Sequence, residues 1–145
     1  MKAPPKGWPR MSCSIFYADP HAAITWLCKA FDFELQLKVE GDAGEIVHSE
    51  LKYGEALVMV SGAGGQEPWQ KYYRSPQSIG GGVTQALCFH VEDVDAHHAR
   101  AVAAGAEVVR ALSTSDYGEE YWSDRSYGVL DLESHLWWFM QRMRG

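Results

Sequence analysis

The chain of 145 residues has little positive charge, little sulfur and no long apolar run. Lys and Arg number 13 against 19 Asp and Glu, a formal net charge of −6. Nucleic acid is therefore excluded as a partner, because its phosphates need a basic footprint. An acidic surface tolerates, and attracts, a cationic small molecule. No apolar stretch approaches the ~20 residues of a membrane span. The opening MKAPPKGWPR has no apolar signal core, so the expectation is a cytoplasmic protein without a membrane partner. Its prolines make residues 1–10 an extended arm. The cysteines, Cys13, Cys28 and Cys88, form no CxxC pair. They read as free thiols, buried and inert in apolar stretches rather than nucleophilic. GxGxxG, Walker, zinc-cysteine and G-x-S-x-G patterns are also missing, so no cofactor is expected.

What is present is apolar and repetitive. Hydrophobic residues make up 46% and charged residues 22%, which excludes a disordered chain. The segment SCSIFY, residues 12–17, alternates as a strand. ADPHAAITWLCKAF follows, with Asp19 as helix cap and Pro20 at the first helical position. Ala23, Trp26, Leu27, Ala30 and Phe31 form one helical stripe. ALCFHV, residues 86–91, leads into a second helix capped by Asp93 and stopped by Gly105. Aligning Asp19 with Asp93 gives an offset of 93 − 19 = 74. Strand-like segments follow each helix: 33–40, 45–52 and 56–60 after the first, then 106–112, 121–131 and 136–140.

The unit is strand, helix and three strands, used twice. The expected fold is α+β, with tandem βαβββ modules curling a mixed sheet around a cleft. The boundaries are an arm at 1–10, a first module at 11–61, a linker at 62–83 and a second module at 84–145. Glycines and prolines make the linker mobile. Its Trp69, Tyr72 and Tyr73 suit either a lid or a homodimer interface, where aromatics are enriched.

Residues 16–34, 91–107 and the segment DLESHLWWF at 131–139 resemble the vicinal oxygen chelate superfamily. That group includes glyoxalase I, extradiol dioxygenases, fosfomycin resistance proteins and bleomycin resistance proteins. The resemblance runs roughly from Met11 to Gln141. Two departures stand out. Asp32 replaces the usual Gly after the first helix, and Ser134 replaces the Gly of the last hairpin. Serine takes a left-handed backbone less readily than Asp, which leaves another turn geometry open before Trp137 and Trp138.

The resemblance also implies where metal-using members place donors: one on the first and one on the fourth strand of each unit. Here those positions carry Ser12, Val58 or Met59, Ala86 and Trp138. Only Ser12 offers even a weak donor, so no metal is expected. Trp138 takes the place of a carboxylate. Neighbours on a strand point to opposite faces, so Trp137 is assigned to the core and Trp138 to the cleft.

Other candidate residues also have plain structural roles. His48 and Glu50 share a strand face and suit acid–base or metal chemistry, but a solvated face is the favoured reading. His97 and His98 diverge around a helix. His90 shares a strand face with residues 86 and 88 and points to the cleft. His135 and Glu133 are expected to be exposed in a turn. Arg125 suits an anionic ligand, or an ion pair with Asp124, Asp131 or Glu120. The cleft set is Ser12, Ser14, Phe16, His48, His90, Trp122, Arg125 and Trp138, with no catalytic residue named. The favoured function is a metal-free homodimer that sequesters an aromatic, amphipathic or cationic small molecule. The alternative is a glyoxalase-like lyase, isomerase or dioxygenase with metal ligands such as His48, Glu50 and His90.

Overall fold

A computed structural model describes residues 2–145. The chain divides into two compact units, Met1–Ser75 and Pro76–Gly145. Each has one helix and one mixed four-stranded sheet.

In the first unit, β1 (Cys13–Tyr17) leads into α1 (Pro20–Phe31), then β2 (Glu34–Glu40), β3 (Ile46–Tyr53) and β4 (Ala56–Gly62). The sheet order is β1-β4-β3-β2, with β1 parallel to β4 and the other pairs antiparallel. α1 starts where the sequence places it. The Asp19 carboxylate accepts the Ala22 N–H at 3.0 Å, satisfying a donor the helix itself cannot. It ends on Asp32 in the left-handed region, φ 62°, the conformation that glycine most often supplies at a helix end. Ile15, Tyr17, Leu51, Val58 and Val60 alternate onto one face and are buried there with Leu27 and Phe31 of α1. Ser49 lies on the same face; its hydroxyl accepts from the Val60 N–H at 2.9 Å and donates to the Val60 carbonyl at 2.5 Å.

In the second unit, β5 (Leu87–His90) and α2 (Val94–Ala103) precede β6 (Glu107–Asp116), β7 (Ser123–Leu130) and β8 (Leu136–Arg144). The order β5-β8-β7-β6 repeats the first sheet, again with one parallel pair at β5 and β8. Asp93 caps α2 through the Ala96 N–H at 2.9 Å. Phe89, Tyr127, Val129, Trp137 and Phe139 form the face buried under α2. His97 of α2 is buried against it, its Nδ1 2.7 Å from the Tyr127 hydroxyl.

The connecting segment is more ordered than a bare glycine linker. It makes two short 3-10 turns, Gln70–Tyr72 and Pro76–Ile79. Tyr73 stacks on Phe16 with ring centroids 3.9 Å apart, and its carbonyl accepts from Gly64 N–H at 2.7 Å. Among the described residues, no helix is long and apolar enough to cross a membrane.

Candidate functional site

The last hairpin decides which way each tryptophan faces. Asp131, Ser134 and His135 form its turn. The Asp131 Oδ1 accepts the backbone N–H groups of Glu133 and His135, each at 3.0 Å, and Oδ2 accepts the Trp137 indole N–H at 3.0 Å. Ser134 takes φ 71°, so the left-handed turn survives the loss of glycine. The carboxylate supplies what glycine's freedom supplies elsewhere: it ties the strained turn down at three donors. Trp137 is fully buried, and Trp138 faces the other way.

The face of the second sheet opposite α2 can be read strand by strand from the pairing. One row runs Cys88, Trp138, Gly128, Arg110; the next runs His90, Met140, Ser126, Ser113. Asp124 and Ser115 pair beyond them. On this face Trp138, Arg110, Cys88, Ser126, Asp124, Met140 and Tyr117 line a pocket of about 350 Å³.

Two local features build it. At Gly128 a Cβ would come within 3.0 Å of the Trp138 Cη2, so the missing side chain makes room for the indole. On β6 a bulge separates Val108, paired with Val129, from Arg110, paired with Gly128. Two residues on one strand thus match one step on its partner, which turns Arg110 to the pocket side. Its guanidinium carbon stands 5.6 Å from the Trp138 ring centroid. It donates to Ser126 Oγ at 2.9 Å and Ser115 Oγ at 3.2 Å. The nearby Asp124 is buried and held by Arg142 at 2.6 Å. Arg142 in turn lies 5.1 Å from the Trp122 ring, which Tyr117 flanks at 5.6 Å.

The expected cleft residues distribute as follows. Trp138 and His90 lie on the pocket face of the second sheet, with His90 exposed. Trp122 is exposed at the β6–β7 turn. Arg125 does not join them. It alternates with Tyr127 onto the α2 side and pairs with Asp95 through both Nε at 2.9 Å and Nη2 at 2.8 Å. Neither Asp124, Asp131 nor Glu120 is its partner in that bond. Arg125 holds the Asp95 carboxyl below its usual range, first by that hydrogen bond. In the first unit, Ser12 precedes β1, while Ser14, Phe16 and His48 lie on the face away from α1.

The favoured reading of His48 and Glu50 as a solvated face is corrected. Glu50 is buried, accepts from His48 Nε2 at 2.8 Å and from Gln36 Nε2 at 2.6 Å. Trp8 of the N-terminal arm stacks on the His48 ring, 6.4 Å between centroids and 12° between planes. Glu133, expected outside, is buried. The cysteines also differ from expectation: Cys88 is exposed, and Cys13 and Cys28 are half-buried. Burial pushes the Cys13 thiol pKa up, which lowers its reactivity.

The sequence profile described as "Glyoxalase/Bleomycin resistance protein/Dioxygenase superfamily" matches residues 11–139. The chain belongs to that superfamily. An uncharacterized Mycobacterium tuberculosis protein, Rv0887c, is 33% identical over 136 residues, covering 94% of this chain and 76% of that one. TioX from Micromonospora sp. ML1 superposes with a TM-score of 0.69 at 34% identity, over 92% of this chain and 95% of that one. The fosfomycin resistance protein FosX of Listeria monocytogenes shares the fold at 15% identity, TM-score 0.61, over 92% of each chain.

Metal-using members of this superfamily set the test for a metal centre. Trp138 follows the β5 pairing Cys88↔Trp138, and removing the offset (88 − 74 = 14) leads to Ser14↔Met59 in the first unit. Met59, rather than Val58, is thus the first unit's counterpart of Trp138. Ser12, Met59, Ala86 and Trp138 provide one hydroxyl and one thioether, a poor set for a divalent ion. Among the described residues, no group of three or more His, Cys, Asp or Glu could hold a metal ion. The residues present do not fit the group.

Proposed function

We propose that the protein is a metal-free binding protein that sequesters an aromatic or amphipathic small molecule on the Trp138 face of its second sheet. One observation carries the reading: Trp138, at the strand position where the resemblance places a metal-binding carboxylate, lays an indole over Gly128 in a pocket of about 350 Å³. A pocket of that size suits a small organic molecule. The indole offers a flat apolar platform, and Met140 and Tyr117 add polarizable and aromatic wall. A cationic ligand, which the net charge favoured, is disfavoured here because a guanidinium already stands at the indole. This reading takes the protein as a homodimer, with exposed Trp69 and Tyr72 as aromatic contacts.

Native mass spectrometry of gently purified protein reports mass, metal and retained ligand together. The expected species is a dimer without stoichiometric metal. Calorimetry with a panel of fused-ring aromatics then compares the parent with Trp138→Ala. The substitution should abolish binding while the melting temperature stays within a few degrees. Retained affinity in Trp138→Ala, or a divalent ion at one per chain, overturns the reading.

A second reading has its own observation. The His48–Glu50–Gln36 chain is an oriented imidazole–carboxylate pair, the arrangement acid–base enzymes of this superfamily could employ. It supports the glyoxalase-like alternative without supplying a metal site.

A further inference from the structure

We infer that Arg110 makes the Trp138 pocket selective for planar aromatic anions, an assignment that rests on the binding reading above. Three features lead there. The first is charge. Arg110 bonds to the hydroxyls of Ser126 and Ser115, and among the described residues no carboxylate takes it. The one carboxylate lining the pocket, Asp124, is already neutralised by Arg142 at 2.6 Å. Counting Arg110 (+1), Asp124 (−1) and Arg142 (+1), the site carries a surplus of one positive charge inside a chain of formal charge −6. That surplus is local, so it acts on a bound group rather than on approach from solution.

The second feature is donor geometry. A guanidinium has five N–H donors in a planar fork. Two are used on serines, so three remain to receive a carboxylate, phenolate or sulfonate. The serines hold the fork in place, which lowers the ordering cost of binding. The third feature is shape. The fork stands over the Trp138 ring, 5.6 Å from its centroid, so a flat ligand entering the pocket against the indole brings its acidic substituent within reach. The same guanidinium repels an ammonium and leaves a neutral amide with fewer acceptors.

The test uses three probes of one shape and different charge: 2-naphthoate, 2-naphthamide and 2-naphthylmethylammonium, titrated into the full-length protein by calorimetry. Parent protein is expected to bind naphthoate about tenfold or more tighter than the other two, as a charge-assisted bond requires. In Arg110→Met that preference should fall to within about threefold, leaving the weak, charge-blind affinity of the indole. Arg110→Lys, which keeps charge but loses the fork, should retain part of the preference. Equal binding of the three probes by the parent overturns the anion assignment while sparing the platform. A naphthoate preference that survives Arg110→Met overturns it as well. Failure of all three probes to bind overturns both the assignment and the reading beneath it.

Discussion

Replacing Asp131 tests whether one carboxylate sets the roles of both tryptophans. It accepts three hydrogen bonds, each at 3.0 Å, from two backbone N–H groups and the Trp137 indole. Glu133 and Trp137 are buried, so solvent cannot readily replace the lost acceptor there. At roughly 1–1.5 kcal/mol per lost bond, Asp131→Ala should cost about 4 kcal/mol. For a chain of this size that is about 12 °C in melting temperature, at about 3 °C per kcal/mol. Asp131→Asn separates the parts. Its amide oxygen can still serve the turn, but its NH2 meets the indole N–H donor to donor. The expected loss is about 2 kcal/mol, or about 6 °C.

A double-mutant cycle with Trp137→Phe isolates the indole bond. Phenylalanine removes the N–H, so Asp131→Asn should cost markedly less in that background, with a coupling of about 1–2 kcal/mol. Urea unfolding and thermal melting, both followed by far-ultraviolet circular dichroism, read the four proteins of the cycle and Asp131→Ala. Melting within 2 °C of the parent for both single Asp131 substitutions would refute the account of the turn. So would a cycle with no coupling.

Two other substitutions probe the core and the pocket floor. Burial raises the Tyr127 hydroxyl pKa well above its usual value, so folding favours its neutral form. The sign follows: this contribution is whole below the unfolded tyrosine pKa of about 10 and is lost as pH climbs beyond it. Stability measured by urea from pH 8 to 11.5 should fall less steeply above pH 10 in Tyr127→Phe than in the parent; identical slopes would contradict this. Gly128→Ala places a methyl 3.0–3.2 Å from the Trp138 ring atoms, so the indole must tip. About 1–2 kcal/mol of stability should be lost, with a shifted Trp138 side-chain resonance in the NMR spectrum; an unmoved signal would show that the ring does not rest there.

Much of this was legible in the sequence because local rules and tertiary packing agreed. Asp19 and Asp93 cap as their positions predict, and alternation alone separates Trp137 from Trp138. Arg125, expected in the cleft, is a misreading that alternation itself corrects: Tyr127 and Val129 mark the core face of β7, and Arg125 alternates with them. Its partner, Asp95, lies 30 residues away on α2, which no local rule reveals. Arg110 was hidden for a different reason. Strict alternation puts it beside Val108, and only the bulge turns it over. Glu50 looked like a solvent-facing carboxylate because one of its two partners, Gln36, reaches across from β2.

The two sheets carry the same row with different chemistry. In the second, the row is Cys88, Trp138, Gly128 and Arg110. In the first, Ser14 pairs with Met59, Leu37 pairs with Glu50, and continuing the Leu51↔Val58 register brings Glu50 alongside Met59. Gly128 therefore corresponds to Glu50. A carboxylate at that place in the second sheet would fill the space of the indole and take the Arg110 guanidinium as its ion-pair partner. Glycine does neither. It lets Trp138 lie across the strand, and it leaves the arginine with serine hydroxyls and open donors. In the first sheet the glutamate draws in His48 and Gln36 instead and is buried with them. The exchanges along the row, Glu50 for Gly128 with Met59 for Trp138 and Leu37 for Arg110, thus separate a polar, self-satisfied surface from an indole under a guanidinium that only serine hydroxyls hold.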